Sequence, residues 1–113
     1  MMEGLGVDIL DIKRFNLLSK NKKNKFLLNN FTKEELRYCF SFKNCASHLA
    51  GTFVAKEAVF KALGSSKILL SLIEIRREKN GKPTVWIKGQ QQKNVLVSIS
   101  HTLEIVTAVA IKL

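Results

Sequence analysis

Apolar and polar positions alternate through Gly4-Leu5-Gly6-Val7-Asp8-Ile9-Leu10, and this period of two predicts an opening strand. Two glycines in that strand let another backbone or a ligand come close. The pattern then changes to a helical one. Ile12, Phe15 and Leu18 share an inner face, which predicts a first helix from Asp11 to about Ser19. The run Lys20–Asn24 is polar and reads as a solvated loop, and apolar character returns at Phe26, Leu27 and Leu28. Thr32 and Glu35 stand at capping-box spacing, so a short second helix is expected over Lys33–Phe40. A long helix is expected from Ala46 to Leu63, closed by Gly64.

The remainder alternates again. Leu72–Glu78 and Thr84–Lys88 flank Lys79-Asn80-Gly81-Lys82-Pro83, and Asn-Gly between two such runs is a hairpin signal. Pro83 belongs at the start of its strand or on an edge. Gln90–Asn94 is polar and is expected to be unstructured. Strands Val95–Ser100 and Glu104–Leu113 follow, joined by a tight turn at His101-Thr102-Leu103. One strand, helices, then four strands predict an α+β fold: a mainly antiparallel sheet packed against a long helix. With 113 residues the chain is most simply one domain, spanning 1–113. A sheet this small has open edges, which favours assembly of identical copies.

Composition narrows the classes. Hydrophobic residues at 46% and charged residues at 25% are ordinary globular values, which argues against disorder. No apolar run reaches bilayer length, and Met1–Asp8 lacks a basic start and an apolar stretch, so a cytoplasmic protein is expected. Cys39 and Cys45 have no partners at metal-site spacing and are read as inert thiols. Nineteen Lys and Arg against nine Asp and Glu give a net charge of +10. A positive surface of that size draws an acidic partner. The cations crowd at Lys13, Arg14, Lys20, Lys22, Lys23 and Lys25.

Candidate chemistry lies at polar residues that simple packing does not explain. At 100° per residue, Ala46, Ala50, Phe53 and Phe60 line one stripe of the long helix, and Glu57 falls inside it. A carboxylate facing a core needs a cation, a metal or a proton. The plain explanation is an ion pair with Lys61, one turn further on. Asp8 closes the first strand behind two glycines, and His101 ends another strand on the face of Val95, Val97 and Ile99. Singly, Asp8 suits a cap or turn, and His101 suits a satisfied turn histidine.

Taken in order, these residues sit in motifs that resemble the holo-[acyl-carrier-protein] synthases, the short 4′-phosphopantetheinyl transferase family. The matching blocks are Gly4-Leu5-Gly6-Val7-Asp8-Ile9 with Arg14, Phe31–Leu36, and Leu49–Ala58 with Lys61–Gly64. Gly81-Lys82-Pro83 and Val97–Thr102 complete the series, so the motifs cover essentially the whole chain. The resemblance implies Mg2+-assisted transfer of the phosphopantetheine arm of coenzyme A to a serine of an apo acyl carrier protein. The second product is adenosine 3′,5′-bisphosphate, and the setting is fatty acid biosynthesis. It also implies Asp8 and Glu57 as metal carboxylates and Lys61 on a phosphate oxygen. Coenzyme contacts would come from Lys56, Gly64, His101 and Thr102. Arg14 would dock the acidic carrier, joined on charge grounds by Lys22, Lys23 and Lys25. The serine proton could pass to a metal-bound water or to Glu57. A homotrimer with active sites between subunits is part of the same expectation.

The chain departs from the family pattern at Thr52, usually an arginine, at Ser65-Ser66, and at Ile105 in place of an aromatic. The competing class is a small basic RNA-binding α+β module. Single-strand binders interleave aromatic platforms with cations, whereas here Tyr38 and Trp86 are the only aromatics besides phenylalanine.

Overall fold

The computed structural model describes residues 1–113. Strand β1 (Gly4–Asp11) is followed by two 3-10 turns, Ile12–Phe15 and Leu18–Lys20. Three helices come next: α1 (Lys25–Asn30), α2 (Lys33–Phe40) and α3 (Cys45–Leu63). After a further 3-10 turn come β2 (Ile73–Arg77), β3 (Pro83–Ile87), β4 (Gln90–Gln91), β5 (Val95–His101) and β6 (Ile105–Lys112). The strands divide into two antiparallel sheets, β1-β6-β5 and β2-β3-β4. The sequence had pointed to one sheet. The α+β class stands, with α3 packed against both sheets.

Helix α2 starts where the capping box placed it: Glu35 N–H donates to Thr32 Oγ1 at 3.2 Å, and Thr32 N–H donates to Glu35 Oε1 at 2.9 Å. Gly64 closes α3 in the left-handed conformation, φ 65°, a geometry open to glycine at little cost. The Asn-Gly hairpin joins β2 to β3 with Pro83 opposite Arg77.

Two expectations about local elements are corrected, and one stretch left unassigned is a helix. No continuous helix runs from Asp11 to Ser19. Ile12 and Phe15 are buried in one 3-10 turn, and Leu18 begins another. Apolar residues at strict three-residue spacing suit a 3-10 turn, where side chains i and i+3 eclipse. The apolar stretch at Phe26–Leu28 forms α1, whose first turn is capped by Asn24 Oδ1 accepting from Phe26 N–H at 2.8 Å. Gln90–Gln91, expected to be unstructured, pairs with β3 across a turn in which Lys88 and Gly89 both have positive φ. That is the backbone a two-residue hairpin of the primed type requires.

The core is built around α3. Residues Leu49–Lys56 are all buried, so this helix is enclosed rather than amphipathic. Phe53 meets the rings of Phe15, Phe26 and Phe31 from the preceding segments. Opposite them, Gly4 and Gly6 let β1 lie against the last turns of α3. A Cβ on Gly6 would stand 1.9 Å from the Ala58 carbonyl oxygen, and one on Gly4 equally close to that of Ala62. Cys39 is buried too, and burial pushes its thiol up to about 12, consistent with an inert side chain. No helix is long and apolar enough to cross a membrane.

Candidate active site

The close crossing of β1 over α3 creates the site. Gly4, Gly6, Asp8 and Leu10 alternate onto the helix-facing side of β1. The same contact that places Gly6 over Ala58, Lys61 and Ala62 brings Asp8, two residues on, beside the Glu57–Lys61 turn. Lys61 Nζ donates to the Val7 carbonyl at 2.9 Å and lies 3.4 Å from Asp8 Oδ1, with half of its side chain exposed. The ion pair between Glu57 and Lys61 does not form: the ammonium turns to β1 instead. Thr107 Oγ1 steadies the strand by donating to the Asp8 carbonyl at 2.8 Å.

Glu57 is partly buried on the edge of the enclosed region. Burial raises its carboxyl above the ordinary glutamate value, and the neighbouring Asp8 charge raises it further. Lys61 and Arg14 pull the other way, so four charges meet here: two carboxylates, one ammonium and one guanidinium. Arg14, read from the sequence as a docking residue, therefore also stands within electrostatic reach of Glu57. A groove of about 380 Å³ opens against Glu57, walled by Phe60, Ile68 and Leu70 and edged by Asn29, Asn30 and Ser66. Asn29 and Asn30 come from the helix missed in the sequence, and no local signal marked them.

The donor set has a definite chemistry. No cluster of three or more His, Cys, Asp or Glu exists anywhere in the fold, so a four-ligand zinc site is not built. Two carboxylates are what magnesium takes from a protein when water and substrate phosphates supply its other ligands. Asp8 and Glu57 fit that ion.

Other expected residues lie elsewhere. Lys56 is corrected: its side chain has no exposed surface, and its Nζ donates to Glu35 Oε1 at 2.6 Å. Burial pushes Lys56 down and Glu35 up. An ammonium enclosed in this way does not reach a phosphate at the surface. His101 and Thr102 are exposed at the far end of β5, where the His101 register partner is Val106, itself opposite Leu10 of β1. They sit two strands, roughly 10 Å, from the strand bearing Asp8. Gly64 lies at the end of α3, one residue beyond its last turn. Thr52 is buried, its Oγ1 3.4 Å from Cys39 Sγ, between α2 and α3. Lys22 lies over the Phe40 ring at 5.5 Å and shares a groove of about 410 Å³ with Lys33 and Arg37. Lys25 opens α1 and is exposed. Trp86 is no bare platform, since the Arg76 guanidinium covers its ring at 3.8 Å.

Comparison with known proteins bears on the family and the fold. The family model of the 4′-phosphopantetheinyl transferase superfamily matches residues 4–110. The chain is 43% identical over 102 residues to a holo-[acyl-carrier-protein] synthase of Thermodesulfovibrio yellowstonii, covering 89% of each chain. It is 42% identical over 119 residues to that of Protochlamydia amoebophila, covering 98% of each. Its fold is similar to the crystal structure of a holo-(acyl-carrier-protein) synthase from Bacillus anthracis in complex with CoA (3′,5′-ADP). There the TM-score is 0.82 at 28% identity, over 99% of this chain and 96% of the other.

Proposed function

The chain belongs to the 4′-phosphopantetheinyl transferase superfamily, and we propose that it acts as a holo-[acyl-carrier-protein] synthase. It transfers 4′-phosphopantetheine from coenzyme A to a serine of an apo acyl carrier protein, releasing adenosine 3′,5′-bisphosphate, in fatty acid biosynthesis. The observation that carries the reading is the meeting of Asp8 and Glu57, 49 positions apart in the chain, beside Lys61.

Asp8 and Glu57 would hold one Mg2+, which when bound supplies positive charge against the diphosphate of coenzyme A. Lys61 donates to the Val7 carbonyl and meets Asp8 only through a long, half-exposed contact, so an ammonium with three donors keeps one for a phosphate oxygen. That contact also keeps the ammonium near the developing charge before substrate arrives. The groove beside Glu57 offers apolar walls to the dimethyl segment of the pantetheine arm and amide and hydroxyl groups to its two amides. Arg14, within electrostatic reach of Glu57, would dock the carrier at the mouth of the same site. Lys22 and Lys25 extend the positive surface beyond it.

His101 and Thr102 contact the nucleotide of coenzyme A in this reading, and they do so from a neighbouring copy. The outer face of β1-β6-β5 supports such a neighbour: Leu5, Val7, Ile9, Leu96 and Val109 stand exposed on it, Leu5 and Val7 at 58%. In register they form rows, Leu5–Ile111–Leu96 and Val7–Val109. An apolar sheet face left to water marks an interface, and a homotrimer with sites between subunits uses it. A cytoplasmic location, where carrier proteins are modified, goes with the reading.

The test is incubation with coenzyme A, Mg2+ and an apo carrier protein, followed by intact mass. The carrier gains the mass of one phosphopantetheine if the reading holds. A carrier of unchanged mass, with the enzyme folded, rejects it.

A further inference from the structure

The charges that the fold encloses completely are not at the site. Lys56 and Glu35 have no exposed side-chain surface, and their Nζ–Oε1 distance is 2.6 Å. The same carboxylate accepts from Thr32 N–H on Oε1 at 2.9 Å and from Ile75 N–H on Oε2 at 2.7 Å. One side chain thus joins the start of α2, strand β2 and the middle of α3. Enclosing two charges is costly, and an apolar pair of the same volume often gives equal or greater stability. What an enclosed ion pair adds is direction, as buried polar groups do when they set register between helices.

Within the buried stretch of α3 the only other polar side-chain contact is the weak one between Thr52 and Cys39. The rest of its buried surface is apolar, Leu49, Phe53, Val54 and Val59 among Ala50, Gly51, Ala55, Ala58 and Ala62, and apolar contact is not directional as a hydrogen bond is. Gly51 would accept a Cβ with only ordinary contact, 3.8 Å to Ile99. Lys56 directly precedes Glu57, and consecutive side chains on a helix are about 100° apart, so fixing one fixes the other. At a side-chain radius of about 5–6 Å, a rotation of about 10° carries a carboxylate through about 1 Å. A misplacement of that size costs on the order of 100-fold in rate.

We propose that the Glu35–Lys56 pair is a positioning element of the reaction, setting the rotation of α3 so that Glu57 faces Asp8 of β1. Neither residue touches substrate. The inference rests on the reading of Glu57 as a metal-holding carboxylate.

The experiment compares the parent with the double variant Glu35→Gln/Lys56→Met, and with Val59→Ala, a cavity in the same helix that removes no directional bond. Four quantities are read: the thermal midpoint, Mn2+ affinity in the presence of coenzyme A by electron paramagnetic resonance, kcat, and KM for coenzyme A. Positioning predicts that the double variant melts near the parent while Mn2+ affinity and kcat each fall by about 10-fold or more, with KM nearly unchanged. Val59→Ala lowers the midpoint but keeps its Mn2+ affinity. The proposal is overturned if the folded double variant binds Mn2+ and turns over like the parent. It is equally overturned if Val59→Ala loses Mn2+ in proportion to its midpoint, or if the double variant does not fold, since the pair would then be holding the core together. A parent that binds Mn2+ but modifies no carrier would reject the proposed reaction and leave the Mn2+ comparison decisive. A parent that binds none rejects both.

Discussion

At the scale of single residues, the neighbour of Glu57 decides its chemistry as much as its burial does. Burial and then the Asp8 charge raise its carboxyl, and a proton on Glu57 excludes a cation there. As pH falls, metal affinity is therefore lost above the range of an ordinary glutamate, and it returns as pH rises through the raised value. Asp8→Asn removes the repulsion, so the Glu57 midpoint drops toward the ordinary value, as carboxyl carbon titration by NMR will show. An unmoved midpoint would mean that the two side chains do not interact. The sequence singled out Glu57 as the charge inside the long helix, and the structure gives that place to Lys56. The reason is physical: Leu49–Lys56 is buried on every side, so the helix has no stripe from which an inward face could be read. The partner that makes Lys56 tolerable, Glu35, lies 21 residues away and carries a local signal only for its capping role. Asp8, Glu57 and Lys61 were legible as residues. Their convergence came from family motifs, since no periodicity links a strand end to a helix turn.

At the scale of elements, the site depends on how closely β1 lies against α3. Gly6→Ala places a methyl 1.9 Å from the Ala58 carbonyl oxygen, and backbone cannot yield as a flexible side chain does. The strand must lift, at a cost of about 3 kcal/mol, and Asp8 moves with it. Denaturant unfolding should show that loss together with weakened Mn2+ binding. A variant of parental stability would show that the contact is slack. Elements with a strong local pattern were readable: the capping box gave α2, Asn-Gly gave the β2–β3 hairpin, and Gly64 gave the end of α3. Those without one were not. The 3-10 turns at Ile12–Phe15 and Leu18–Lys20 carry a helix-like spacing without a helix's length. Strand β4 is two exposed glutamines, with no apolar residue to announce it.

At the scale of the whole molecule, two surfaces do different work. The apolar outer face of β1-β6-β5 predicts self-association, the proposed homotrimer predicts sedimentation near three times the monomer mass, and Val7→Lys, on that face, should release monomers with little turnover. A fully active monomer would remove the interface from the account. The positive surface around Arg14 predicts that Arg14→Glu raises KM for the carrier protein well above any change for coenzyme A, an effect that weakens with added salt. Equal changes for both substrates would assign Arg14 to the site alone. The central claim is narrower than either surface: two carboxylates from separate elements grasp one divalent ion. Diffraction from crystals grown with coenzyme A and Mn2+, recorded for anomalous scattering, tests it directly. The account predicts one peak bonded to a carboxylate oxygen of Asp8 and one of Glu57, at a little over 2 Å. A peak held elsewhere, or Asp8 closed by the Lys61 ammonium with no ion beside it, would contradict it.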